Sequence, residues 1–191
     1  MNLPITEQTF SSSKPIDELG IKEAIDIMIK EQRGASDAVN EIMLYLIDTV
    51  TKITSHLKLS AVSRLIYVGA GTSGRIGIQD GVELYPTFGW PLERLDFIIA
   101  GGYKALFKPI ENAEDDIEDA EKTFKEKMVN KFDVVFGIAA SGNTPFTCKF
   151  LELSKKANAL TIAISNNPSG KLLEYGKMRL ILNTKQEVLT G

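Results

Sequence analysis

The sequence predicts an α/β fold: a doubly wound, five-stranded parallel sheet with helices on both faces, preceded by N-terminal helices. Three observations predict it. Five short runs rich in β-branched residues lack the apolar–polar alternation of a strand with one wet face. Amphipathic stretches separate these runs, as crossover helices between parallel strands require. A stretch of purely helical periodicity, residues 20–57, comes before the first run.

In chain order, Ile21, Ala24, Ile25 and Met28, then Val39, Ile42, Met43, Leu46, Ile47, Val50 and Ile53, give two helices with a break near Arg33-Gly34. Asp17 or the Ser11 to Ser13 cluster would cap the entry. The five strands are "RLIYVG" (64–69), "LDFIIA" (95–100), "DVVFGIAA" (133–140), "LTIAIS" (160–165) and "RLILN" (179–183). Helices are expected over 73–84, 113–129, 145–156 and 169–175. Residues 1–60 read as a helical lead-in packed on the core and 61–191 as the ligand-binding domain.

A length of 191 residues suffices for one sizeable core. With 22 basic and 25 acidic residues the net charge is only −3, which argues against nucleic acid or an anionic membrane surface as partner. No apolar run approaches the roughly 20 residues of a membrane span. "MNLPITEQTFSSSKPIDELG" lacks the layout of a signal peptide, so a cytoplasmic location is expected. Cys148 and His56 are the only residues of their kinds. That excludes internal disulfides and Cys-based metal clusters, and makes a His-based triad or zinc site a poor reading; both residues are expected to be structural.

In a doubly wound sheet ligands bind at the carboxyl ends of the strands. Three loops fall there: "GAGTSG" (69–74), "AASGNTP" (139–145) and "SNNPSG" (165–170). The first spells GxGxxG between a strand and a helix, but its second strand ends in Ile99-Ala100-Gly101-Gly102, without the acid that would take a dinucleotide ribose. It nearly spells a P-loop, but Arg75 replaces the lysine and Ile76 the Ser or Thr that would hold magnesium. What remains is a glycine loop whose N–H groups and two hydroxyls suit a small anion such as a phosphomonoester. Candidate binding residues are Gly71, Thr72, Ser73 and Gly74, and in the second loop Ser141, Gly142, Asn143 and Thr144. Helix capping alone would also account for Ser141 and Thr144. The third loop adds amides, but such clusters are usual in turns.

Two carboxylates contrast in setting. Pro86 should end the helix near Leu84, leaving Glu83 at the negative end of the dipole, where a carboxyl tends to keep its proton. Glu114 would fall in the first turn of the next helix if Asn112 caps it, where the ionised form is favoured. Such a pair suits acid and base roles. An acidic run at a helix start is more often a stabilising solvated face, and Glu83 is equally read as a surface residue.

"VGAGTSGRIGIQDGVELYPTFG" and "GIAASGNTPF", with "IAGGYKALFKPIENAEDD" between them and "TEQTFSSSKPIDELGIKEAIDIMIKEQ" at the start, resemble the N-acetylmuramic acid 6-phosphate etherases of the sugar isomerase (SIS) superfamily. The resemblance implies a SIS-type sandwich, a homodimer with sites near the interface, and no metal or organic cofactor. It implies loss of D-lactate from the sugar C3 ether by elimination, then hydration to N-acetylglucosamine 6-phosphate, a step of peptidoglycan recycling. It places the proton donor on Glu83 and the second catalytic acid on Glu114, with Thr72, Ser73, Ser141, Gly142 and Thr144 on the sugar phosphate. Asn143 departs from it, standing where these etherases commonly carry Arg. The family usually continues past "KQEVLTG" with a further core helix, so the last strand is expected to lack its covering helix and to offer an apolar face to a partner. Other readings are a non-catalytic sugar-phosphate regulator of the glucokinase regulatory type and an aldose–ketose phosphosugar isomerase.

Overall fold

A computed structural model describes residues 14–186 and 188. Two helices, α1 (Ile21–Glu41) and α2 (Met43–Leu57), lead in and meet at Ile42, whose φ of −100° and ψ of 12° leave the helical region. The break expected near Arg33-Gly34 is therefore misplaced. A glycine inside a helix costs only about 1 kcal/mol relative to alanine, which the rest of a 21-residue helix outweighs. Asp17 lies in a 3₁₀ turn, Ile16–Glu18, and Gly20 occupies the cap of α1 with no side-chain bond. Ser11 to Ser13 lie outside the described residues.

The strands β1 (Leu65–Gly69), β2 (Leu95–Ile99), β3 (Val134–Ile138), β4 (Leu160–Ser165) and β5 (Met178–Ile181) fall within or close to the five apolar runs. They form one sheet of order β2-β1-β3-β4-β5. Every adjacent pair is parallel, with Leu65 opposite both Leu95 and Val134.

Between them run α3 (Gly71–Val82), α4 (Leu84–Phe88), α5 (Ile117–Lys127), α6 (Pro145–Lys156) and α7 (Leu172–Tyr175). Their apolar sides make two cores, one on each face of the sheet. On one face α5, α6 and α7 bury Ala120, Phe146, Phe150, Leu151 and Leu172 against Ile66, Val68 and Val135. On the other, Leu46, Ile53 and Leu57 of α2 pack with Tyr67, Ile162, Met178 and Leu180. A lead-in helix thus covers the face of the last strand that carries Met178 and Leu180, while the other face carries the exposed Arg179 and the half-buried Ile181, so the expected lack of cover is corrected on one face only.

Three boundaries differ for physical reasons. Pro86 does not end helical structure: α3 stops at Val82 and α4 begins afresh, so Pro86 falls in a first turn, where its missing N–H removes no bond. Gly89, at φ 66°, then terminates α4. Asn112 does not cap α5, because it sits at φ 59° in the left-handed region; Asp116 caps it, accepting from the Asp119 N–H at 2.8 Å. The helix expected over 169–175 shrinks to the single turn of α7.

At the amino edge of the sheet, the fully buried Asp133 is gripped by Arg64 through Nε (3.0 Å) and Nη2 (2.7 Å), and accepts from the Asn130 N–H at 2.9 Å. This fork pins the start of β1 to the start of β3.

Candidate functional site

The strand order reverses direction between β1 and β3. β1 leads through α3 to β2 along one face, and β3 leads through α6 to β4 along the other. Gly69 and Ile138 are register partners, so the loops that follow them leave the sheet side by side. Such a reversal opens a crevice at the carboxyl ends of the strands.

In the first loop Gly71 turns the chain with φ +51°. The N–H groups of Gly71, Thr72 and Ser73 precede the first helical bond, from the Gly74 N–H to the Ala70 carbonyl at 3.1 Å. No side chain caps α3, and among the described residues the hydroxyls of Thr72 and Ser73 have no partner. Gly74 is needed for packing: a Cβ there would stand 2.9 Å from Ile99 Cγ1 and 3.0 Å from the Gly69 carbonyl carbon. The glycines seat the helix on the sheet while the loop keeps its donors open to an anion.

The second loop is locked from behind. Gly142 has φ +69°, and a Cβ on it would stand 2.6 Å from Ser165 Oγ and 2.7 Å from Gly170 Cα. The Leu172 N–H donates to the Gly142 carbonyl at 2.8 Å, and Asn167 Nδ2 to the Ser141 carbonyl at 2.9 Å. Ser141 Oγ accepts from the Asn143 N–H at 3.2 Å, and Asn143 Oδ1 accepts from the Lys171 N–H at 3.0 Å. Asn143 thus spends its carbonyl oxygen on the scaffold. Thr144 holds the cap position of α6, yet its side chain makes no cap bond, so capping does not explain these hydroxyls.

The sequence undervalued one part of this scaffold and read Cys148 as structural, as it is. The "SNNPSG" loop is a support, with Ser165 and Asn167 buried, and not a further donor set. Cys148 lies beneath the loop with its Sγ 3.7 Å from the Gly142 carbonyl oxygen, and burial pushes its thiol up to about 11. A protonated thiol is no nucleophile at neutral pH. His56 is likewise interior at its Nε2, which has no hydrogen-bond partner.

The two candidate carboxylates are not brought to one place by this chain. Glu114 sits in a 3₁₀ turn, Ala113–Asp115, ahead of α5, and not in the first turn of the helix as expected. That turn follows β2 at the carboxyl edge of the sheet and packs against α6, which the second loop opens. Glu83 is the joint between α3 and α4, not a free helix end. Nine residues separate it from Gly74, the last residue of the glycine loop, a span of about 14 Å at about 1.5 Å per residue. Both carboxylates are exposed.

Among the described residues no group of three His, Cys, Asp or Glu side chains could hold a metal ion. No described helix is long and apolar enough to cross a membrane.

Residues 46–155 match the model of the glucokinase regulatory protein N-terminal SIS domain. The chain is 41% identical over 189 residues to the N-acetylmuramic acid 6-phosphate etherase of Bacillus cereus (strain AH187), covering 97% of this chain and 63% of that protein. It is 39% identical over 186 residues to the protein of the same name from Bacillus anthracis (strain A0248), with the same coverage. The chain therefore spans 63% of the length of these relatives. Among solved structures, a phosphoheptose isomerase from Francisella tularensis superposes with a TM-score of 0.60 at 15% identity, covering 85% of each chain. The Vibrio vulnificus NanR protein complexed with ManNAc-6P gives 0.57 at 16% identity over 90% of this chain and 57% of that one. At those identities the structural likeness speaks for the fold.

Proposed function

Since the chain belongs to the family of the glucokinase regulatory protein N-terminal SIS domain, we propose that its paired loops hold a phosphosugar and that it acts as an N-acetylmuramic acid 6-phosphate etherase. The observation that carries the phosphosugar half is the crevice itself, where unpartnered hydroxyls of Thr72, Ser73 and Thr144 meet uncapped N–H groups at two helix starts. The likeness to named etherases at 41% identity supports this choice of substrate.

In this reading the phosphate rests on Gly71, Thr72, Ser73 and Gly74 of the first loop and on Ser141, Gly142, Asn143 and Thr144 of the second. Glu114, on the same edge of the sheet, removes the proton from C2 of the open-chain sugar, next to the aldehyde. The C3–O bond breaks, its electron pair leaves with the lactyl oxygen, and Glu83 supplies the proton that makes D-lactate. Water then adds at C3 and C2 regains a proton, giving N-acetylglucosamine 6-phosphate. The enzyme is thus a carbon–oxygen lyase of carbohydrate metabolism, fitting peptidoglycan recycling in the cytoplasm, and the scheme calls for no metal or organic cofactor.

The separation of about 14 Å along α3 supports the reading in which Glu83 serves the site of a second copy. The proposed unit is a homodimer with each site near the interface. Glu83 is flanked by Val82, Tyr85 and Phe88, which are 43%, 53% and 75% exposed, an apolar strip suited to a partner.

The test is lactate release from N-acetylmuramic acid 6-phosphate by this chain, by Glu83→Ala and by Glu114→Ala. Release by the parent and its loss in both variants is expected. Binding of phosphosugar without any lactate would contradict the etherase and favour a non-catalytic regulator or an isomerase.

A further inference from the structure

Arg75 differs from the other half-buried arginines in what its guanidinium touches. Arg64 commits Nε, Nη1 and Nη2 to Asp133 and to the carbonyls of Lys127 and Met128. Arg94 gives Nε and Nη2 to the carbonyls of Ser63 and Leu57 and lies 4.4 Å over the Trp90 ring. Arg75 makes one hydrogen bond, from Nε to the Ala105 carbonyl at 3.0 Å. Among the described residues its Nη1 and Nη2 have no partner and no carboxylate pairs with it. A guanidinium that is half withdrawn from water and left unpaired is unfavourable for folding alone.

Its position explains what the fork is for. Arg75 is four residues beyond Gly71 on α3, hence on the same helix face, and side chains on a helix lean back toward its amino end. The Nε bond fixes the group against the buried Ala105 in the 3₁₀ turn Tyr103–Leu106, which follows β2. The crevice lies on the β3 side of β1, whereas Arg75 stands on the β2 side. A ligand whose phosphate occupies the crevice can extend a second anionic group toward Arg75.

We propose that Arg75 is the specificity-determining residue that receives the carboxylate of the lactyl ether through Nη1 and Nη2. The inference rests on the etherase reading. The substrate carries its phosphate on C6 and its carboxylate on the substituent at O3, so the two anions lie at different ends of the molecule. A planar fork with Nε already anchored offers two parallel N–H donors, the match for a carboxylate. N-acetylglucosamine 6-phosphate keeps the phosphate and lacks the carboxylate, so this contact separates substrate from product.

The test compares dissociation constants of both sugars with Arg75, Arg75→Lys and Arg75→Gln, in a Glu114→Ala background that slows turnover, with melting temperature followed alongside. Loss of one charge-assisted contact in Arg75→Gln is expected to weaken N-acetylmuramic acid 6-phosphate about 10- to 100-fold. N-acetylglucosamine 6-phosphate should stay within about threefold, with Arg75→Lys intermediate for the substrate. Equal weakening of both sugars, or of neither, overturns the assignment to the lactyl carboxylate while leaving the etherase reading intact. A parent chain that binds neither sugar overturns the etherase reading and this inference with it.

Discussion

Gly142 and Gly170 meet back to back: a Cβ on Gly142 would stand 2.7 Å from the Cα of Gly170, and Gly142 itself sits at φ +69°. The second loop is therefore seated on the turn before α7. Gly142→Ala adds backbone strain to a clash that neither main chain can avoid. It should cost about 1–3 kcal/mol in stability, read as a lowered melting temperature, and weaken phosphosugar binding. Unchanged stability and affinity would contradict a rigid loop.

The hydroxyls make a separate prediction. Thr72 and Thr144 use their side chains for no cap bond, so Thr72→Val and Thr144→Val should leave the melting temperature within a degree or two. Each should raise the dissociation constant for a sugar phosphate about 10-fold or more, since hydrogen bonds to a charged group contribute about 1.5–3 kcal/mol. Calorimetric titration checks both. Loss of stability with unchanged affinity would return these residues to a structural role.

Asp133 and Arg64 form the network at the opposite edge, where no ligand is proposed. Asp133 is fully buried, and hydrogen bonding to it raises the Arg64 guanidinium above its ordinary value. Asp133→Ala removes the fork and leaves that half-buried cation with Asp96 at 3.7 Å and the carbonyls of Lys127 and Met128, so it should cost about 1–3 kcal/mol in denaturant unfolding. The phosphosugar dissociation constant of the folded fraction should not change.

Cys148 tests the packing beneath the loop. Burial raises its thiol from 9.0 to about 11, so at pH 8 the native thiolate fraction is about 100-fold lower than in the unfolded chain. Alkylation should be slower by at least that factor until denaturant is added. By linkage, a raised pKa of an acid contributes stability that is intact below pH 9.0 and lost as pH climbs to about 11. Rapid labelling of the native protein would contradict a buried Cys148.

What was legible in the sequence follows from which residues act locally. The strands could be read because the central ones are runs of apolar, β-branched side chains with little exposure on either face, as in the fully buried β1. Pro145 marked the first residue of α6 because its fixed φ suits that position. Asn112 and Asp116 are both plausible caps by type, and the choice turned on Asn112 adopting φ 59°, which no local pattern announces. Gly34 looked like a break but sits in open space within α1, where nothing penalises it beyond propensity. At the site, the donor loops were legible from glycine and hydroxyl spacing. The bonds from Asn167 to Ser141 and from Lys171 to Asn143 join residues 26 and 28 apart, and only the fold brings them together.

The central claim is that a working site combines Glu114 of one chain with Glu83 of a second copy, and mixing two inactive variants tests it most directly. Glu83→Ala and Glu114→Ala are each prepared, mixed in equal amounts under conditions that exchange subunits, and assayed for lactate. Statistical mixing makes about half the dimers mixed, each with one intact site of its two, so about a quarter of the parent activity should return if the site is shared. No recovery, with mixed dimers present by mass spectrometry, would place both carboxylates in one chain and contradict the account.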